Sequence, residues 1–322
     1  MQVGFSTLRA AGLAMAIALA PPLPAQDAGP PPPADEAETL DYLLDDTQRM
    51  TVPVSIAGRG PYDFIVDTGS ERTVISHELA RELGLGAGRI ATVHSMTEVS
   101  RIPTVIVPGL QVGARRMDDI HAPALARRNL GAAGMLGVDS LQSQRVDFDF
   151  AREVMTITPS RQREERWDGD TIVITGRSLF GRLVLVDASV DGQRVHVIID
   201  TGAQMTVGNG ALRRALARRN QLGPIMPVSL LSVTGTRFTA EASVARRIKI
   251  GGVDIVDLPI AFADAHPFRQ LRLENRPAIL LGMDALRLFD RVSVDFANRR
   301  VRVMMPGTSR LDPPIRMASA AP

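Results

Sequence analysis

The chain has 322 residues, 45% of them hydrophobic, which is enough apolar material for one large domain or two lobes that each bury a core, so disorder is excluded as the default. Its 36 arginines and single lysine, Lys249, are nearly balanced by 35 acidic residues for a net charge of +2, a balance that does not point to nucleic acid. There is no cysteine, which excludes disulfides and lipid attachment at cysteine and leaves packing alone to hold the fold.

Residues 1–25 read as a secretory signal: Arg9 ends a short basic region, Ala10 to Ala20 form an apolar stretch too short for the roughly 20 residues of a spanning helix, and Pro21-Pro22-Leu23-Pro24-Ala25 breaks it. No later segment is long and apolar enough to span a membrane. The expected location is therefore the periplasm or outside the cell. Residues 26–49 read as a mobile arm, with a proline-rich tether from Ala28 to Ala34 followed by an acidic stretch from Asp35 to Asp46, so ordered structure is expected to start near Met50. Thr51 to Ala57 and Pro61 to Val66 are strand-like runs around Gly58-Arg59-Gly60, a hairpin feeding into Asp67-Thr68-Gly69. Ser76 can cap a helix over His77 to Leu83 that Gly84 stops. A first half, 50–158, closes with Leu110-Gln111-Val112-Gly113, Met135-Leu136-Gly137-Val138-Asp139 and Arg145-Val146-Asp147-Phe148. Residues 159–169 are polar and charged and read as a connection, in which the only tryptophan, Trp167, is an anchor on one lobe.

The second half, 170–305, repeats the first. Leu185 to Val190, the turn Asp191-Gly192 and Val195 to Ile199 lead into Asp200-Thr201-Gly202, and Asn209 can cap an Arg-rich helix running to about Asn220. Ile248-Lys249-Ile250-Gly251 matches Leu110 to Gly113, Leu280-Leu281-Gly282-Met283-Asp284 matches Met135 to Asp139, and Val292-Ser293-Val294-Asp295-Phe296 matches Arg145 to Phe148. Residues 306–322 are a tail. The five histidines lack metal-ligand spacing, and no Gly-x-Ser-x-Gly or P-loop occurs.

A lone Asp-Thr-Gly is most often a capped or salt-bridged turn. A duplicated one is different. If two lobes pack about a pseudo-twofold axis, Asp67 and Asp200 meet, and two carboxylates in one site cannot both ionise easily, so they share a proton. The ionised member can then act as general base on a water while the protonated member polarises a carbonyl. Gly69 and Gly202 allow close approach of the loops. Thr68 and Thr201 have hydroxyls that can bond across the axis. The one asymmetry in the pair of motifs is Ser70 against Ala203.

With these residues the chain resembles the pepsin-like and retropepsin-like aspartic proteases, in which each lobe carries one Asp-Thr-Gly and one apolar-apolar-Gly segment; the resemblance covers roughly residues 50 to 304. It implies an all-β, bilobal acid-protease fold of two pseudo-twofold-related lobes with short helices, closer to a fused retroviral-type dimer than to a large pepsin. It places Leu136-Gly137 behind Asp67 and Leu281-Gly282 behind Asp200, and it implies that the Ser70 hydroxyl donates to the outer oxygen of Asp67. The pepsin flap tyrosine has no counterpart, since Tyr42 and Tyr62 both precede the first loop. By position, the flap tips fall at Ser95, Met96, Thr97 and Glu98 and at Val233, Thr234, Gly235 and Thr236. The expected protein is an exported, monomeric aspartic endopeptidase that needs no cofactor or metal and takes an extended polypeptide. Two rivals stay open: a catalytically silent peptide-binding module, and a narrow-specificity processing protease for one envelope or secreted protein.

Overall fold

The computed structural model describes residues 37–45, 49–96, 99–113, 115–141, 143–167, 169–179 and 182–307. The expected signal, the proline-rich tether and the tail beyond Gly307 lie outside the described residues. What is described is a predominantly β protein of two lobes with six short helices among the described residues.

The repeat in the sequence is a repeat in space. In the first lobe Met50–Ile56 and Arg59–Val66 form an antiparallel hairpin. Its turn is Ala57-Gly58, at φ 49° and 76°, and Ile56 faces Arg59, so the strand resumes at Arg59 instead of after Gly60. Two successive left-handed residues give a two-residue turn whose twist matches that of the strands it joins. Asp191-Gly192, at φ 46° and 76°, makes the equivalent turn between Ala188–Val190 and Gln193–Arg194. There the Asp191 carboxylate also accepts from the backbone N–H groups of Arg246 and Arg247.

The strands that lead into the two Asp-Thr-Gly triplets are apolar without alternation because they are covered on both faces. Phe64, Ile65 and Val66 are fully buried, as are Val197 and Ile198. Gly134–Leu136 lies parallel to Arg59–Val66, with Leu136 beside Val66, and antiparallel to Val74–Ser76. In the second lobe Ala278–Leu281 lies parallel to His196–Ile199, with Leu281 beside Ile199, and antiparallel to Val207–Gly208. Each apolar-apolar-Gly segment is thus threaded between the strand before and the strand after its Asp-Thr-Gly loop. Ser76 caps the helix His77–Glu82 by accepting from Leu79 N, and Asn209 caps Gly210–Arg218 by accepting from Leu212 N.

Six strands join the lobes, in the order Glu38–Asp41, Val154–Pro159, Gln144–Asp149, Arg291–Asp295, Arg300–Met304 and Thr171–Leu179. The central pair, in which Asp147 faces Ser293, consists of the two matching segments found in the sequence. Trp167, in the connection, is buried beneath two guanidinium groups, with Arg302 Cζ 4.1 Å and Arg291 Cζ 4.8 Å from the ring centroid. It anchors the connection on strands of the second lobe.

Part of the segment expected to be a mobile arm is strand. Glu38–Asp41 pairs with Val154–Ile157 at the edge of the joining sheet, and Leu43–Leu44 pairs with Met50 and Thr51. The physical reason lies in the alternating Leu40, Tyr42 and Leu44, which pack on the core from an otherwise acidic stretch. Tyr42 is buried there, and the loss of hydration, reinforced by Glu153, pushes its phenol up to about 12.

Candidate active site

Asp67 leaves its strand at the last rung, its N–H donating to Leu136 O at 2.9 Å, and Asp200 does the same to Leu281 O at 3.0 Å. Each side chain then folds back on its own loop. Asp67 Oδ1 accepts from the N–H groups of Gly69 (2.8 Å) and Ser70 (3.0 Å), and Asp200 Oδ1 from those of Gly202 and Ala203 (both 3.1 Å). Two amide donors per carboxylate fix its orientation.

The loops interlock through the threonines. Thr68 N–H donates to Thr201 Oγ1 at 3.0 Å and Thr201 N–H to Thr68 Oγ1 at 3.2 Å. The Thr68 hydroxyl donates to Ile199 O at 3.0 Å and the Thr201 hydroxyl to Val66 O at 2.7 Å. Both hydroxyls are buried and fully used, so this network locks the carbonyl that precedes each aspartate to the opposite lobe. A side chain on Gly69 would come within 2.5 Å of the Asp200 carboxylate, and one on Gly202 would overlap the Asp67 carboxylate. Each aspartate therefore lies against the other lobe's glycine, and the two carboxylates, only 8% and 9% exposed, share the seam between the lobes.

Behind each loop stands a second tie that the sequence reading did not single out. Asp139 accepts from Thr73 N–H and Thr73 Oγ1, and Asp284 accepts from Thr206 N–H and Thr206 Oγ1. The same threonine hydroxyls accept from Gly137 N–H and Gly282 N–H, both at 3.2 Å. Gly137 lies against the Arg72 backbone and Gly282 against Met205 and Ala203, leaving no room for a side chain. The signal was legible as a longer repeat: both triplets are followed by a threonine at the same spacing, Thr73 and Thr206, and both Leu-Gly pairs by an aspartate two residues on. Burial raises the Asp284 carboxyl above its ordinary value, and its bonds from Thr206 and Ala285 oppose that.

The Ser70 hydroxyl does not act as the resemblance implies. It donates to Arg72 O at 2.8 Å, and only the backbone N–H of Ser70 reaches Asp67, just as that of Ala203 reaches Asp200. A hydroxyl has one proton, and that of Ser70 is committed to the Arg72 carbonyl.

Two hairpins stand at the expected flap positions. Ala87–His94 and Val99–Val107 pair with His94 facing Val99, so Ser95 and Met96 begin the connection; Thr97 and Glu98 lie outside the described residues. Met226–Leu231 and Arg237–Ile250 pair with Leu231 facing Arg237, and Ser232 to Thr236 form the tip, closed by Ser232 N–H to Thr236 O at 2.9 Å. Each tip reaches the opposite lobe. Met96 packs against the second-lobe cluster that contains Phe268, and its carbonyl accepts from His266 N–H at 3.1 Å. Val233 packs against the first-lobe cluster of Ile65, Leu130 and Met135, and Gly235 lies against Asn129. The helices Arg127–Leu130 and His266–Gln270 are therefore the walls on which the tips rest. Two histidines scattered in the sequence meet here, with His94 Nδ1 3.0 Å from His266 Nδ1, and Gln270 donates to Glu71 across the lobes at 2.6 Å. Among the described residues no group of three or more potential metal ligands occurs. No described helix is long and apolar enough to cross a membrane.

Two lobes of this topology, each delivering one Asp-Thr-Gly loop to a common seam, define the acid-protease class in its compact, retropepsin-like form. The aspartyl protease family model matches residues 52–140 and 186–285, more than half of the chain and once in each lobe, and the chain belongs to that family. No curated protein matches it.

Proposed function

We propose that this protein is an exported aspartic endopeptidase that hydrolyses peptide bonds with a water activated between Asp67 and Asp200. The observation that carries the reading is the cross-lobe seating of the two carboxylates, each over the other loop's glycine and each oriented by two amide N–H groups. Like charges held this close favour one shared proton. The ionised aspartate takes a proton from the water as it attacks the carbonyl carbon. The protonated one donates to the carbonyl oxygen, and a proton then passes to the leaving nitrogen without a covalent intermediate. The substrate is an extended polypeptide lying between the loops and the two hairpin tips, where its backbone can pair with theirs. Both halves of the site lie on one chain, so the working unit is a monomer. Export rests on the signal-like residues 1–25.

The test is to incubate mature protein and its Asp67→Asn form with a diverse peptide pool across acidic to neutral pH and to sequence the products. Cleavage by the wild type that the variant lacks is expected. Equal products from both, or none from either, would overturn the reading.

A further inference from the structure

The wall helix Arg127–Leu130 has only four residues, too few to hold its own position, yet it supports the second hairpin tip through Asn129 and Leu130. Its C-terminal end is held from outside the lobe core. The guanidinium of Arg49, from the segment preceding the first hairpin, donates to Leu130 O at 2.5 Å. The next residue, Gly131, takes φ 84° and comes so close that a side chain there would lie 2.6 Å from Arg49 Nη2. Asp45 holds the same guanidinium, accepting from Nη2 at 2.7 Å and from Nε at 2.9 Å, and it also accepts the Arg49 backbone N–H at 2.8 Å. Both side chains are buried, at 10% and 6% exposure, so this ion pair is not a screened surface contact. A planar guanidinium can hold a carboxylate with two donors while a third reaches a helix-terminal carbonyl; a lysine cannot do so in the same geometry.

We propose that Arg49, fixed by Asp45, is a positioning residue for the peptide cleft. It clamps the end of the wall helix on which the second hairpin tip docks, and Glu38 to Asp45 together with Arg49 form a retained strap instead of a removable prosegment. This rests on the protease reading for its kinetic consequence. Leu130 is the connecting residue, since it belongs to the buried cluster that contains Ile65, two residues before Asp67, and against which Val233 of the tip packs. The dyad itself makes no use of Arg49.

The experiment compares full-chain wild type with Arg49→Met, Arg49→Lys and Asp45→Asn. Steady-state kinetics are measured on one cleavable peptide, and amide hydrogen exchange is followed by mass spectrometry. Loss of a charge-assisted bond to a helix end should raise KM roughly tenfold in Arg49→Met while kcat stays within about twofold. Asp45→Asn should move KM in the same direction, the double variant should be no worse than Arg49→Met alone, and Arg49→Lys should rescue only in part. Exchange should accelerate in 127–131 and 232–236 and stay at wild-type rates in 67–70. Unchanged KM and exchange, or kcat and exchange at 67–70 changing together with the rest, would overturn the proposal. If Arg49→Met does not fold, Asp45→Asn decides by the same readouts. Should the wild type cleave nothing, the protease reading fails, and the exchange pattern still decides whether Arg49 holds the wall.

Discussion

Asp67 and Asp200 each commit Oδ1 to two backbone N–H groups, and an asparagine oxygen can accept those same bonds. Asp67→Asn or Asp200→Asn should therefore fold normally while hydrolysis falls by a factor of roughly 10²–10⁴ or more, as expected for loss of a general acid or base. Turnover near wild type in either variant, on a fluorogenic peptide, would remove that aspartate from the chemistry. Ser70 shows how one hydrogen bond redirects an expectation. With its hydroxyl donated to Arg72 O, Ser70→Ala should leave both limbs of the kcat/KM pH profile in place and cost about 0.5–1.5 kcal/mol of stability. A displaced acid limb would show that the hydroxyl turns to Asp67 when substrate binds. Gly202→Ala should abolish activity and lower Tm, because the new methyl group overlaps the Asp67 carboxylate at a seam that the threonine network prevents from widening.

At the scale of elements, each Asp-Thr-Gly loop is backed by a threonine and aspartate pair. Thr73→Val removes the hydroxyl that both donates to Asp139 and accepts from Gly137, leaving buried polar groups short of a partner. A loss of about 1–3 kcal/mol, read by chemical denaturation, is expected, with a parallel effect in Thr206→Val. The strap carries its own marker. The folded state holds the Tyr42 phenol neutral up to about 12, above its ordinary value of 10.0, so the folded chain binds more protons than the unfolded one between those values. The stability contributed by burying the neutral Tyr42 phenol should be fully present below pH 10.0 and lost as pH rises through about 12. Tyrosinate absorbance should show a step near pH 12 that Tyr42→Phe removes. An alkaline titration of Tyr42→Phe indistinguishable from that of wild type would count against the burial argument.

For the whole molecule, the joining sheet and the threonine network tie two lobes of one chain, and on the proposed reading both halves of the site come from that chain. Specific activity should stay constant on dilution over several orders of magnitude. A fall that reverses on reconcentration would mean that the lobes pair between chains. The crosswise rest of the hairpin tips, Met96 on the second lobe and Val233 on the first, is likewise a property of the whole.

The duplicated Asp-Thr-Gly, the apolar runs before it and the Leu-Gly pairs after it were enough to specify two like lobes and the two aspartates, because strand burial and tight turns are local demands that leave periodic marks on the chain. The hairpin positions followed by counting from Gly113 and Gly251. What local pattern could not reveal were contacts between residues far apart in sequence. They include the strap laid on the joining sheet, Arg49 on Leu130, His94 beside His266, and the Ser70 hydroxyl turned to Arg72. An acidic stretch reads as an arm until an edge strand is present for its alternating Leu40, Tyr42 and Leu44 to pair beside. A buried ion pair likewise has no signature in either partner's neighbourhood, and only the packed lobes remove the water that would otherwise make it weak.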